Sequence, residues 1–189
     1  VDFHPFFVTG KLYWKGLLSH AYNVRFLIDA QQQILNTESF MPWTYPPHFN
    51  FIPIFLSIFP IYISYFFFAT FSLFLYLWIL KKINKEYFLQ VLIYIFPAII
   101  ICERTGQNGL LVASLIGVII FFYQTNKFRS GVALGLLTMK PHFMPFIALF
   151  ILFKKEWKII SYGFFTFLLL AFLATWAFNF EIWQHFYYA

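Results

Sequence analysis

The chain has 189 residues, of which 61% are hydrophobic, 25% aromatic and only 11% charged. Soluble domains carry about 45–50% apolar and about 25% charged residues. The composition excludes a soluble domain, a disordered chain and a disulfide scaffold, and it points to an all-α, polytopic integral membrane protein. The net charge of +6 does not indicate nucleic acid, because the basic residues cluster in short loops between apolar runs. The first residue is Val1 rather than Met, so a longer chain is expected. No basic segment, short apolar run and cleavage site opens it, so no signal peptide is expected. Cys102 is the single cysteine and cannot form an internal disulfide.

Residues 1–45 are the most polar part. Their charges balance, and Gln31, Gln32 and Gln33 fall within a helix expected near Asn23–Leu35. Apolar and aromatic residues stay frequent there, which reads as a loop with amphipathic helices lying on the membrane surface. The longest uncharged run is Ser39–Leu80, long enough as helix for about two bilayer cores. Pro46, Pro47, Pro53 and Pro60 interrupt its first part. Residues 47–59 are therefore expected as an interfacial or half-crossing helix, and Ile61–Leu80 as one full span. Were 47–59 to cross, the N-terminal loop would change sides.

Shorter uncharged runs follow at Tyr87–Cys102, Thr105–Asn126, Ser130–Met139, Pro141–Phe153 and Ile159–Phe180. Three loops between runs are basic and each nets +2: Lys81, Lys82, Lys85 and Glu86; Lys127 and Arg129; Lys154, Lys155, Glu156 and Lys158. Excess Lys and Arg marks cytoplasmic loops. The alternate turns, at Glu103-Arg104, at Lys140 and in the tail with Glu181, together carry no net charge and are placed on the opposite side. The two runs that flank Lys140 are each short of a bilayer core. They predict a re-entrant hairpin or a crossing of a thinned bilayer, with Lys140-Pro141-His142 below the outer surface. A single membrane domain over 1–189 is expected: an extracytoplasmic loop (1–45), membrane helices (46–180) and an extracytoplasmic tail (181–189).

The polar groups that could carry chemistry fall on that outer side. They are Asp2, the turn with Tyr45 and His48, the segment with Arg104, Gln107 and Asn108, and the turn with Lys140 and His142. The five His residues have no metal-ligand spacing, so no metal site is expected. A lone Lys between two short membrane helices reads as functional. Asp2 reads equally as a solvated loop carboxylate, Gln107-Asn108 as an ordinary turn between helices, and Glu103-Arg104 as an interfacial ion pair.

Four motifs carry a resemblance. The first is Asp2-Phe3-x-x-Phe6-Phe7, with Gly16 and Tyr22 downstream, followed by Tyr45-Pro46-Pro47-x-Phe49. Then come Gly106-Gln107-Asn108-Gly109-Leu110-Leu111 and Gly131-x-Ala133-x-Gly135-Leu136-x-Thr138-x-Lys140-Pro141. In this order and spacing the set resembles glycosyltransferase family 87, of the GT-C membrane glycosyltransferases. Phe6 replaces the usual Tyr, and His48 stands where an aliphatic is common. The chain has about half the length the resemblance leads one to expect.

The resemblance implies a GT-C-like helical bundle in a plasma (bacterial inner) membrane. It implies a metal-independent, inverting transfer of a hexose, such as mannose, from a polyprenyl-phosphate carrier to a lipid or glycan hydroxyl. No cofactor is implied. Asp2 would be the general base. Lys140, then Arg104 and His142, would hold the phosphate. Gln107, Asn108, Tyr45 and His48 would bind substrate, and the helices around Gly131–Met139 and Phe143–Phe153 would flank a groove for the polyprenyl tail. Two other readings stay open on the residues: a transporter or flippase of a lipid-linked substrate, and a non-catalytic membrane subunit.

Overall fold

The computed structural model describes residues 2–37 and 40–189. Val1, Glu38 and Ser39, which entered the reading of the chain start, the charge balance and the uncharged run, lie outside the described residues. The described residues form helices and turns, with no strand among them. The helices are α1 (His4–Trp14), α2 (Val24–Leu35), α3 (Phe51–Leu56), α4 (Ile61–Asn84), α5 (Phe88–Thr105), α6 (Gly109–Phe122), α7 (Lys127–Leu136), α8 (Met144–Phe153), α9 (Trp157–Phe178) and α10 (Glu181–Tyr187). The all-α class expected from composition is thus the observed one.

Two apolar runs are long enough to cross a membrane, Ile61–Thr105 and Trp157–Phe178. The first is not one rod. Lys85 has φ +48°, a left-handed conformation that ends a right-handed helix. The chain folds back there, and the Gly106 turn comes to rest against Tyr65 near the start of α4. Rings point outward along these helices: Tyr62, Phe66, Phe74, Tyr94, Phe172 and Trp176 are all exposed. Apolar surface of that extent suits lipid, not water.

The chain forms two compact units. The first contains the stretch up to Ala69, Arg104–Gln107 and Ala171–Ala189. Its centre is the crossing of α1 and α3. At Gly10 an added Cβ would overlap the Pro53 carbonyl and the Ser57 side chain, so only glycine lets these backbones approach. Trp14 Nε1 donates to Ser57 Oγ at 3.1 Å and fixes the register. Ser64 Oγ donates to the Leu56 carbonyl at 2.6 Å, tying the start of α4 to the end of α3. At six residues, about 9 Å, α3 is far too short to cross a bilayer. α2 begins where expected, with Asn23 Oδ1 accepting from the Phe26 N–H at 3.1 Å as its cap.

The second unit contains Thr70–Glu103 and Asn108–Leu170. Gly117 of α6 lies against Ile79 of α4, and Ser130 Oγ donates to the Ile119 carbonyl at 3.0 Å, joining α7 to α6. α7 and α9 pack through glycines. A Cβ on Gly131 would lie 2.8 Å from the Ile159 carbonyl oxygen, and one on Gly135 2.6 Å from the Gly163 carbonyl oxygen. This is the small-xxx-small device of membrane helices, in which backbone meets backbone. At the charged end Lys127 Nζ and Glu156 Oε1 pair at 2.7 Å.

Enlarging Gly135 to Leu must force α7 off α9. The variant is expected to lose about 3 kcal/mol or more, read as a large drop in thermal midpoint in detergent. Leu136→Ala, on the exposed face of the same helix, is expected to melt near the wild type.

Candidate active site at the start of α1

The first unit brings together two segments more than a hundred positions apart. The Asp2 backbone N–H donates to the Thr105 carbonyl at 2.7 Å. Gln107 Nε2 donates to Asp2 Oδ2 at 2.5 Å. Gly106 sits between them at φ +71°, and a Cβ there would stand 2.7 Å from the Phe3 Cβ. Glycine alone meets both the backbone angle and the space. The Gln107 amide thus orients one carboxylate oxygen of Asp2. The other, Oδ1, has no hydrogen-bond partner among the described residues.

Phe3 anchors this corner. It is 1% exposed and meets the rings of Tyr65 at 5.3 Å, Phe68 at 5.6 Å and Phe6 at 5.9 Å. Phe6 in turn meets Tyr45 at 5.3 Å, and Tyr45 stacks on Phe49 at 4.5 Å. Tyr45 therefore stands one ring beyond Asp2's own support, half-buried in an aromatic cluster. The Pro46-Pro47 turn is fixed by a buried polar relay. Trp43 Nε1 donates to Asn50 Oδ1 at 3.0 Å, Asn50 Nδ2 donates to Tyr22 Oη at 3.2 Å, and Tyr22 Oη donates to the Tyr45 carbonyl at 3.0 Å. Burial pushes the Tyr22 phenol far above its ordinary range, so it serves as a donor and not as an acid.

His48 is buried, with its ring 6.4 Å from Trp183. Burial lowers its pKa to about 4, so at neutral pH it offers a neutral ring and no charge. Arg104 is exposed beside Gln107 and has no ion-pair partner among the described residues. His4 lies two residues after Asp2, at the start of α1, and was not among the candidate site residues. It is half-buried, its Nδ1 has no hydrogen-bond partner among the described residues, and burial lowers its pKa. Only its nearness to Asp2 in the sequence could have marked it.

The remaining candidates belong to the second unit. Asn108 precedes α6, and its buried Nδ2 has no partner among the described residues. Lys140 follows the 3-10 turn Leu137–Met139 and is half-buried; its backbone N–H donates to the Leu137 carbonyl at 2.9 Å. His142 is exposed beside Phe143. An almost wholly apolar cleft of about 160 Å³ lies between α7, α8 and α9, lined among others by Thr138, Met144, Ala148, Phe164 and Phe167. Among the described residues no three of His, Cys, Asp and Glu gather closely enough to ligate a metal ion.

A helical protein with membrane-length apolar runs and a carboxylate held at a loop–helix junction fits the class of membrane enzymes. The sequence profile of Glycosyltransferase family 87 matches residues 43–189, and the chain belongs to that family. It is a glycosyltransferase, acting with a sugar donor and an acceptor in association with a membrane. The matched region includes Tyr45, His48, Arg104, Gln107, Asn108, Lys140 and His142. Asp2 lies ahead of it, so its assignment rests on its contact with Gln107. No curated protein and no solved structure matches the chain.

The burial of His48 has a pH consequence. Its folded pKa is about 4, against about 6.5 unfolded, so the unfolded chain binds the extra proton between those values. The contribution is complete above pH 6.5 and is lost as pH falls toward 4. The thermal midpoint is expected to drop over that window, and His48→Gln is expected to flatten this part of the curve.

Proposed function

We propose that the protein transfers a hexose, in the first instance mannose, from a polyprenyl-phosphate carrier to a hydroxyl of a lipid or glycan on the extracytoplasmic side of a multi-pass membrane domain. The observation that carries the reading is the Asp2–Gln107 contact, which joins the first-loop carboxylate to the family's Gly-Gln-Asn-Gly turn. Asp2 Oδ1 takes the proton of the acceptor hydroxyl as that oxygen attacks the anomeric carbon. The bond from this carbon to the phosphate oxygen breaks, and polyprenyl phosphate leaves with the electron pair. One displacement inverts the anomeric centre, and the proton on Asp2 then passes to water. A base at hydrogen-bond distance supplies roughly 10²–10⁴-fold of such a rate.

A phosphate leaving group needs fixed positive charge, which is worth more in a partly desolvated site than in water. Lys140 is the first cation assigned to that task and Arg104 the second, with His142 beside Lys140. Gln107 and Asn108 supply amide donors and acceptors for sugar hydroxyls. His48, neutral and buried, supports the Tyr45 turn and contacts substrate only as a neutral ring. The apolar cleft between α7, α8 and α9 has the chemistry of an isoprenoid chain. The excess of Lys and Arg in the three basic loops supports a cytoplasmic side for them and the opposite side for Asp2 and Lys140.

The test uses the full-length protein in detergent with polyprenyl-phosphate-mannose. Asp2→Asn is expected to lower kcat by roughly 10²–10⁴-fold with little change in donor KM. Lys140→Gln is expected to lower kcat about 10²-fold or more. Equal transfer by wild type and Asp2→Asn would remove Asp2 as the base. Labelling of a cysteine at position 2 only from the cytoplasm would invert the topology.

A further inference from the structure

Two clefts in the first unit are used by nothing described so far. One, of about 250 Å³, lies between the end of α1 and α10, with Tyr13, Ser19, Glu181 and His185 in its wall. The other, of about 290 Å³, is lined by Tyr22, Asn23, Gln184, His185 and Tyr188. His185 belongs to both, so the two adjoin across one side chain. We propose that they form the subsite for the non-reacting end of a neutral oligosaccharide acceptor, an inference that rests on the chain's glycosyltransferase activity.

The lining carries the argument. Sugars are held by aromatic faces against their C–H surfaces and by planar polar side chains that match paired hydroxyls. Tyr13 and Tyr188 bring the first kind of group, and Glu181, Gln184 and His185 the second. The side chains of Glu181, Gln184 and His185 have no hydrogen-bond partner among the described residues, so their capacity is open to a ligand. α10 presents all three within five positions on little more than one turn. The described residues lining the two clefts include Glu181 but no Lys or Arg. That charge disfavours a phosphate or lipid headgroup and leaves a neutral polyol as the fitting ligand.

Position supports the same reading. Asp2 precedes α1 and Tyr13 lies near its end, so the helix sets them about 16 Å apart. One sugar ring cannot bridge that distance, whereas a short oligosaccharide can. Its reacting hydroxyl would lie at Asp2 and its far end at α10. The acceptor class that follows is a glycan already several sugars long.

The test measures binding as well as transfer. Full-length protein in detergent is titrated with linear tetrasaccharides of mannose and of glucose, and with inositol 1-phosphate, by saturation-transfer NMR. The wild type is expected to bind at least one tetrasaccharide and to prefer it to the phosphate. Glu181→Ala and Tyr188→Ala are each expected to weaken binding roughly tenfold, the cost of one charged hydrogen bond or one ring contact. Both side chains are exposed, and a wild-type melting curve verifies folding; if Tyr188→Ala unfolds, Tyr188→Leu keeps bulk without the aromatic face. Asp2→Asn is expected to lose transfer and keep saccharide binding. Absence of tetrasaccharide binding by the wild type, tighter binding of inositol 1-phosphate, or unchanged binding in both variants overturns the subsite. Binding without transfer from the mannose carrier would strike the donor assignment and leave the subsite standing.

Discussion

The structure turns on one junction: the start of α1 held against the end of α5 at Gly106. The Asp2 N–H is satisfied by the Thr105 carbonyl, and the Phe3 Cβ and backbone nitrogen, with the Tyr65 ring, fill the space that a side chain at 106 would occupy. A carboxylate on a free loop would sample many orientations. Here a backbone bond, a side-chain bond from Gln107 and a ring packed among rings restrict it together. Side chains held by several independent contacts keep the geometry that acid–base chemistry needs. After the fold-back at Lys85 the chain comes round to the Asp2–Gln107 contact.

Much of this architecture could be read from the sequence. Uncharged runs and basic loops located α4, α5, α6 and α9 because lipid solvation leaves helices with no other way to satisfy the backbone. The Pro-rich stretch after Tyr45 pointed to a short interfacial segment, and α3 ends after six residues. The glycines of α7 stood out as members of a motif, but nothing there pointed to Ile159 and Gly163 of α9 as their partners. Such a pairing is long-range, and a single sequence holds no trace of it. The Asp2–Gln107 contact was legible only as two members of one motif set. The Trp43–Asn50–Tyr22 relay was not legible at all, since Asn50 and Tyr22 are ordinary residues until folding buries them. His48 stood out as a polar group, and only the structure revealed it as a buried neutral ring.

The two units solve the packing problem differently. Around the Gly10 contact of α1 and α3, the first relies mainly on rings and buried polar relays, with Phe6 in contact with Trp43, Tyr45, Phe49 and Phe68. That arrangement suits a segment near water, where apolar burial still drives assembly. The second uses glycine and small side chains, since association within lipid draws on close contact and not on expulsion of water. The aromatic excess of the composition accordingly has two destinations. Some rings build the core of the first unit, and many others face outward along α4, α5 and α9.

The backbone contact at Gly135 also has a consequence at the level of the gene. Every single-base change in a glycine codon that alters the amino acid introduces a Cβ, and at this position a Cβ meets the Gly163 carbonyl and Thr166. No neighbouring codon that changes the amino acid is sterically silent. Gly131 faces the same exclusion against Ile159 and Tyr162. This seam of α7 and α9 is therefore a place where the coding sequence can drift only among synonyms, while the lipid-facing Phe positions beside it are free to exchange one apolar side chain for another.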